Sequence, residues 1–226
     1  TQRGEGYFDK TIASIEKLIK LGHNVVVATT VNKRNVKSLK ELYNYLVDIG
    51  VKRWALSKEM PFGEAKQNVN NALTTDEWNN YVDEILDYAQ DIKLSIRKLF
   101  DFSLLEKLSY EEIEKYSKIA VKNCGSGKEK LYIYPDLTVY GCTCLKDFPL
   151  GNLYRDKLED ILLSNQYNLI ANYTLKSESP CNECRYLPLC NGGCIGMSYH
   201  ILGELGLGDV RCKVVEEKFR GSLING

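Results

Sequence analysis

The chain has 226 residues, of which 44% are hydrophobic and 27% are charged, and its 30 Lys and Arg side chains balance 30 Asp and Glu side chains. This composition is typical of a globular protein with one large or two small domains. With no basic excess, neither nucleic acid nor an anionic membrane surface is a predicted partner. No apolar stretch approaches the length of a membrane span and the first residues form no secretory signal, so we predict a cytoplasmic location.

The first half of the chain alternates predicted helices and strands. Residues 7–21 carry apolar side chains at helical spacing, and residues 24–31 form a β-branched run typical of a strand covered on both faces. Asn35 is expected to cap a second helix that ends at Gly50, and Thr75 to cap a third. Two further strands are predicted at the segments "VKRWALS" and "IKLSI". Alternation of this kind predicts a parallel sheet with helices outside it, as part of a larger α/β barrel or sheet.

Residues 97–122 are predicted to be helical, with Ser109 and Glu112 at the spacing of a capping box. The segment "LYIYPDLTVY" alternates in polarity around a Pro-Asp pair and predicts a β-hairpin. The segment "GNLYRDKLEDILLS" predicts a turn and a short helix, and a final helix is predicted to begin at Cys212.

All eight cysteines lie at or after Cys124, which divides the chain into a thiol-free part, residues 1–122, and a thiol-rich part, residues 123–226. In a reducing cytoplasm this number of cysteines favours metal or cluster ligation over disulfides. Eight thiolates form two four-thiolate sites, which could hold zinc ions or iron–sulfur clusters. One Cys-x2-Cys pair followed by two single cysteines is a less usual arrangement for zinc than for an iron–sulfur cluster. We also predict that Gly192 and Gly193 bring backbone N–H groups close to cluster sulfides.

The cysteine spacing resembles a known family pattern. The run Cys181-x2-Cys184-x5-Cys190-x3-Cys194, followed by Cys212 and preceded by Cys124 and Cys142, is similar to the seven-cysteine pattern of SPASM domains. These domains are C-terminal extensions of radical S-adenosylmethionine enzymes. The segments "YPDLTVYGC" and "LGNLYRDKLEDI" resemble the family's hairpin and its "GN" turn and helix, although Leu137 replaces a usual glycine.

The thiol-free part resembles the second half of a radical S-adenosylmethionine barrel, particularly at "TTVNKRN" and "PFGEA". The implied fold is the C-terminal half of a partial (β/α) barrel, residues 1–122, followed by a small cysteine-rich α+β SPASM domain, residues 123–226. The family's Cys-x3-Cys-x2-Cys motif, which holds the cluster that cleaves S-adenosylmethionine, does not occur in the sequence. The chain is therefore expected to be a C-terminal part of an enzyme and to be inactive alone.

The resemblance also implies a set of metal ligands. An outer auxiliary 4Fe–4S cluster is expected on Cys181, Cys184, Cys190 and Cys212. An inner one is expected on Cys124, Cys142 and Cys194, with Cys144 as the fourth ligand because it is the remaining thiol and lies two residues from Cys142.

The C-terminal end of the first predicted barrel strand carries three polar residues, Thr29, Thr30 and Asn32. This is the end of the strands at which α/β barrels bind ligands. By resemblance these residues could contact S-adenosylmethionine, and the alternative is that they only satisfy loop backbone groups. His200 is expected to pack, with contact to the metal-binding segment as the alternative. No catalytic residue is assigned.

The function implied by the resemblance is radical modification of a peptide or protein substrate. The full-length enzyme would use S-adenosylmethionine, a third 4Fe–4S cluster and an electron donor such as ferredoxin or flavodoxin. A noncatalytic zinc-binding interaction module is the alternative hypothesis.

Overall fold

The computed structural model describes residues 5–118, 124–125 and 127–224. The chain forms two compact units, Thr1–Leu99 and Phe100–Gly226. Residues 100–118 therefore fold with the cysteine-rich unit, while the boundary between family domains at 122/123 stays a prediction. Among the described residues, none of the helices combines the length and the apolar character needed to cross a bilayer.

The first unit alternates helices and strands as predicted. The three strands form a parallel sheet in the order β1-β2-β3, with Val26 opposite Arg53 and Arg53 opposite Lys93. Its elements are α1 (Tyr7–Lys20), β1 (Val26–Val31), α2 (Leu39–Asp48), β2 (Arg53–Lys58), α3 (Thr75–Tyr88) and β3 (Lys93–Ser95).

The sheet of the first unit has one buried face and one open face. Trp54 and Val31 are completely buried in the core with the helices, whereas Val26 is 45% exposed. The prediction that this strand is covered on both faces was therefore wrong. Strands added in chain order through right-handed crossovers place every helix on the same side of the sheet. The other face then carries small side chains in register, such as Thr30 opposite Ser57.

Two predicted helix starts differ from the structure. Thr74, not Thr75, caps α3, because its hydroxyl accepts the N–H of Glu77 while the Glu77 carboxylate accepts the N–H of Thr74. Asn35 does not cap the next helix. Its side chain instead accepts the N–H of Asn32 and donates to the carbonyl of Thr30, which closes the loop after β1.

The predicted helix over residues 97–122 is shorter in the structure. Residues 97–102 are not helical, a short 3₁₀ helix covers Ser103–Leu105, and α4 covers Tyr110–Ser117. The capping box of Ser109 and Glu112 is confirmed. Residues 119–122 lie outside the described residues.

The second unit contains a small antiparallel sheet and short helices. The predicted hairpin is confirmed by the pairing of β4 with β5, and the sheet order is β4-β5-β6. A core that includes Val139, Leu145 and Ile161 packs beneath it. The remaining elements are β4 (Tyr132–Ile133), β5 (Thr138–Tyr140), β6 (Pro149–Asn152), α5 (Leu158–Leu162), α6 (Asn165–Ala171), α7 (Leu187–Cys190), α8 (Ile195–Leu202) and α9 (Lys213–Ile224).

The hairpin turn places Leu137 in the left-handed region, at φ 65°. The turn is closed by hydrogen bonds from the N–H of Leu137 to the carbonyl of Tyr134 and from the N–H of Leu153 to the carbonyl of Leu137. A leucine here carries a steric cost that glycine does not, because its Cβ approaches the carbonyl oxygen. The turn therefore keeps the glycine-type geometry despite the substitution.

Replacement of Leu137 by glycine should raise the stability of the second unit by about 1 kcal/mol, because it removes the left-handed strain. The measurement is the thermal midpoint of wild type and variant in the same metal-loaded state. Leu163→Gly is the matched control, since Leu163 is also an exposed leucine but has φ −95°, and it should give no gain. A lower midpoint for Leu137→Gly would contradict the strain argument.

Candidate metal centre

The dense cysteine segment is folded by short helices and a left-handed loop. Cys181 lies in a 3₁₀ helix, Pro180–Glu183, and Cys190 ends α7. The next residues, Asn191, Gly192 and Gly193, all have positive φ values of 50°, 73° and 76°. This loop reverses the chain before α8, so the thiols before and after it can face different sites.

Four thiols surround one cavity in the second unit. The walls of this cavity include Cys181, Cys184, Cys190 and Cys212. The rest of the lining is mainly apolar and comes from Phe100, Phe102, Leu187, Val214 and Val215, with Gly192 and Asp209 completing it. The structure thus brings together the same four thiols that the family resemblance assigns to the outer cluster.

Burial makes three of these thiols, Cys181, Cys190 and Cys212, poor acids while they lack a positive partner. It raises the pKa of Cys190 to about 12, and the negative charges of Cys212 and Cys181 add to the effect. Burial also raises the pKa of Cys181 and of Cys212. Four thiolates can share this cavity only if a cationic group compensates them, and a metal centre does so. The donor set and the apolar walls therefore fit an iron–sulfur cluster.

The other four cysteines form a second group. The N–H of Cys144 lies 3.4 Å from the sulfur of Cys142. A side-chain hydrogen bond with Cys142 lowers the pKa of the Cys144 thiol, whereas burial and the negative charges of Cys194 and Cys124 oppose the shift. The thiols involved are therefore Cys144, Cys142, Cys194 and Cys124. They are the set that the resemblance, with Cys144 as fourth ligand, assigns to the inner cluster.

Close approach of the backbone shapes both groups. A Cβ at Gly208, where φ is 103°, would lie 2.8 Å from the sulfur of Cys181. A Cβ at Gly193 would lie 2.4 Å from Cβ of Asp209. The N–H of Gly193 donates to the carbonyl of Cys190, so it is used within the loop and is not directed at a cluster as predicted.

The structure records no disulfide among the described cysteines. Within the described residues, no three Cys, His, Asp or Glu side chains meet as ligands of a single metal ion. His200 donates from its Nε2 to the backbone carbonyl of Cys144, which favours the alternative interpretation of this histidine as a contact of the metal-binding segment.

The predicted S-adenosylmethionine contacts lie at the end of β1 in the first unit. The Thr29 hydroxyl accepts the indole N–H of Trp54 at 2.9 Å, which ties it to the neighbouring strand. Thr30 is exposed on the open face of the sheet. Asn32 is buried, and its side-chain amide donates to the Glu59 carboxylate at 2.7 Å while its Oδ1 accepts the N–H of Arg34.

Glu59 was not found by the sequence reasoning. Its carboxylate is buried at the end of β2 and accepts hydrogen bonds from the amides of Asn32 and Asn71. The only sequence signal was an acidic residue directly after a strand, which is common in loops. Of the three predicted contacts, Thr29 and Asn32 therefore have structural partners, and Thr30 is the most accessible.

Comparison with known proteins gives a family match for part of the chain. Residues 124–185 match the SPASM family, an iron-sulfur cluster-binding domain. The chain is 24% identical over 161 residues to the antilisterial bacteriocin subtilosin biosynthesis protein AlbA of Bacillus subtilis (strain 168), which covers 71% of this chain and 33% of AlbA. It is 20% identical over 208 residues to the AdoMet-dependent heme synthase of Oleidesulfovibrio alaskensis (strain ATCC BAA-1058 / DSM 17464 / G20), which covers 88% of this chain and 53% of that protein.

Among solved structures, SuiB of Streptococcus suis bound to the precursor peptide SuiA superimposes with a TM-score of 0.67 at 16% identity, covering 92% of this chain and 48% of SuiB. SuiB has also been solved with S-adenosylmethionine. At this level of identity the likeness shows the fold. The chain spans about a third and about half of the lengths of the two curated relatives.

Replacement of Asn32 by alanine should lower the free energy of unfolding of the first unit by about 2 kcal/mol, because it leaves the buried Glu59 carboxylate short of a donor. Urea denaturation measures the change. Thr30→Ala is the control, since this side chain is exposed on the same strand and should change stability by less than about 0.5 kcal/mol. Equal effects of the two substitutions would show that the Asn32–Glu59 contact does not stabilise the unit.

Proposed function

We propose that this chain is the auxiliary-cluster part of a peptide-modifying maturase. Its cysteine-rich domain and its fold are those of a radical S-adenosylmethionine/SPASM protein. The predicted fold class, a partial barrel followed by a SPASM domain, is confirmed by the family match and by the structural neighbours. The single observation that carries the proposal is the cavity lined by Cys181, Cys184, Cys190 and Cys212.

The two groups support two auxiliary clusters. Cys181, Cys184, Cys190 and Cys212 would hold the outer one in a cavity with mainly apolar walls. Cys124, Cys142, Cys144 and Cys194 would hold the inner one, and Cys144 would complete its coordination. Apolar walls and a full set of protein ligands suit clusters that accept electrons or hold a substrate. They do not suit a cluster that needs an open iron.

The first unit would supply part of the wall that binds S-adenosylmethionine. When bound in this family, that cofactor and the cluster that cleaves it supply the deoxyadenosyl radical that starts the reaction. Thr30 lies on the open sheet face with Ser57, and Thr29 and Asn32 would hold the strand end in place through Trp54 and Glu59.

A peptide is the proposed substrate class. Support comes from AlbA, named for bacteriocin biosynthesis, and from SuiB, which binds the precursor peptide SuiA. The heme synthase shows that not every relative is named for a peptide reaction. A low-potential donor such as ferredoxin or flavodoxin would provide the electron that reductive cleavage of S-adenosylmethionine requires.

Anaerobic reconstitution should give roughly eight iron and eight sulfide per chain, corresponding to two cubane clusters. Cys190→Ser and Cys194→Ser should each lower the iron content by about half, because the two residues belong to different groups. Their electron paramagnetic resonance spectra should differ in which cluster signal is lost. Leu163→Ala, at an exposed position of the same unit, is the control and should keep the full iron content.

Zinc in stoichiometric amount without sulfide would contradict the cluster proposal and support a zinc-binding interaction module. Loss of the same signal in both cysteine variants would contradict the division into two groups.

The catalytic proposal is tested by cleavage of S-adenosylmethionine. With dithionite as reductant, the 226-residue chain should form no catalytic amount of 5′-deoxyadenosine, because its two clusters are fully held by thiolates. A longer protein that carries this chain together with a Cys-x3-Cys-x2-Cys motif should form it, with a mass change in a peptide substrate. Liquid chromatography with mass spectrometry measures both products. Turnover by the 226-residue chain would show that the radical-generating cluster is assigned wrongly.

A further inference from the structure

An ion pair between Asp209 and Arg211 lies in the interior of the second unit. The side chain of Asp209 is 1% exposed and that of Arg211 is 14% exposed. The guanidinium contacts both carboxylate oxygens, from Nη2 to Oδ2 at 2.6 Å and from Nε to Oδ1 at 2.9 Å. Removing two charges from water costs several kcal/mol. Because Asp209 and Arg211 are only two residues apart, their ion pair does not join distant elements, and its burial must serve another purpose.

Asp209 connects the two groups of cysteines. Its Oδ2 accepts the N–H of Cys194, an inner-group residue, at 2.9 Å. Its backbone carbonyl accepts the N–H of Cys212, an outer-group residue, at 2.9 Å. Gly193 lets the loop approach, because a Cβ there would collide with Cβ of Asp209. The carboxylate therefore holds the loop between the two groups in place.

This position has an electrostatic cost. Asp209 lines the cavity of the outer group and also touches the backbone of Cys194, so its negative charge lies beside thiolates of both groups. Clusters held by four thiolates are themselves anionic, and a nearby carboxylate disfavours them further. Arg211 opposes this charge at hydrogen-bond distance, and its guanidinium lies 5.9 Å from the ring centroid of Phe100, another wall of the cavity.

We propose that Arg211 neutralises the buried carboxylate of Asp209, so that Asp209 can hold the Cys194 loop without lowering the reduction potentials of the clusters on either side. The proposal rests on the proposed binding of two clusters. It makes Arg211 a positioning and charge-compensating residue that ligates no metal. Net charge and hydrogen bonding near a cluster are among the factors that set its potential.

Arg211→Met should shift the midpoint potentials of both clusters to more negative values, because the carboxylate of Asp209 is left uncompensated. Release of iron to a chelator should become about tenfold faster. The double variant Asp209→Asn/Arg211→Met removes both charges and keeps one oxygen for the N–H of Cys194, so its potentials should return close to those of wild type. Potentiometric titration followed by electron paramagnetic resonance, at equal iron content, measures the shifts.

Arg220→Met is the matched control, because it removes one positive charge from an exposed position of α9 and should leave both potentials unchanged. If Arg211→Met does not fold, the single variant Asp209→Asn provides the test. Its potentials should lie above those of wild type, because the charge of Arg211 is then uncompensated, and the potentials of the double variant should lie below those of Asp209→Asn and close to wild type. If Arg211 had only a structural role, the double variant would not bring the cluster potentials back to the wild-type values.

Unchanged potentials in Arg211→Met at wild-type iron content would overturn the inference, as would a double variant that keeps the full negative shift. If wild type binds zinc and no sulfide, the proposed function fails, but the inference is still tested. Zinc release should then be faster in Arg211→Met and return towards wild type in the double variant, and equal release from all three proteins would overturn it.

Discussion

Thiolates repel one another, and this repulsion governs the second unit. Cys190 faces Cys181 and Cys212 across an apolar cavity, and burial holds its pKa at about 12. The cavity therefore accommodates four anions only together with a cationic centre, so folding and metal binding are coupled in this unit. The short helices, the left-handed loop and the small sheet are arranged around this requirement, and little of their stability comes from a large apolar core.

Much of the fold follows from local patterns in the sequence. The period of apolar residues predicts the helices, and the alternation of strands with helices predicts the three-stranded parallel sheet that the structure contains. The capping box at Ser109 and the hairpin before Cys142 depend only on neighbouring residues, and both are present. The grouping of Cys181, Cys184, Cys190 and Cys212 follows from the family resemblance, and the structure places these four thiols around one cavity.

What the sequence does not predict depends on contacts made through space. Glu59 becomes a buried carboxylate only because Asn32 and Asn71 converge on it from separate loops. From the sequence alone, Asp209 and Arg211 would be expected to be two charges on the surface. The pair is buried because the backbone at Gly193 lies close to the side chain of Asp209. The open face of the first sheet is also a tertiary property, since the same β-branched run suits a strand covered on one face or on both.

The distribution of aromatic and sulfur-containing side chains gives each unit its own optical reporter. Both tryptophans of the chain, Trp54 and Trp78, are buried in the first unit, whereas every cysteine belongs to the second. Indole emission therefore follows the unfolding of the sheet and its helices, and charge-transfer absorption of sulfur-bound iron follows the loss of the other unit. A single denaturant titration read at two wavelengths can reveal whether the units unfold together or one after the other, with no introduced label.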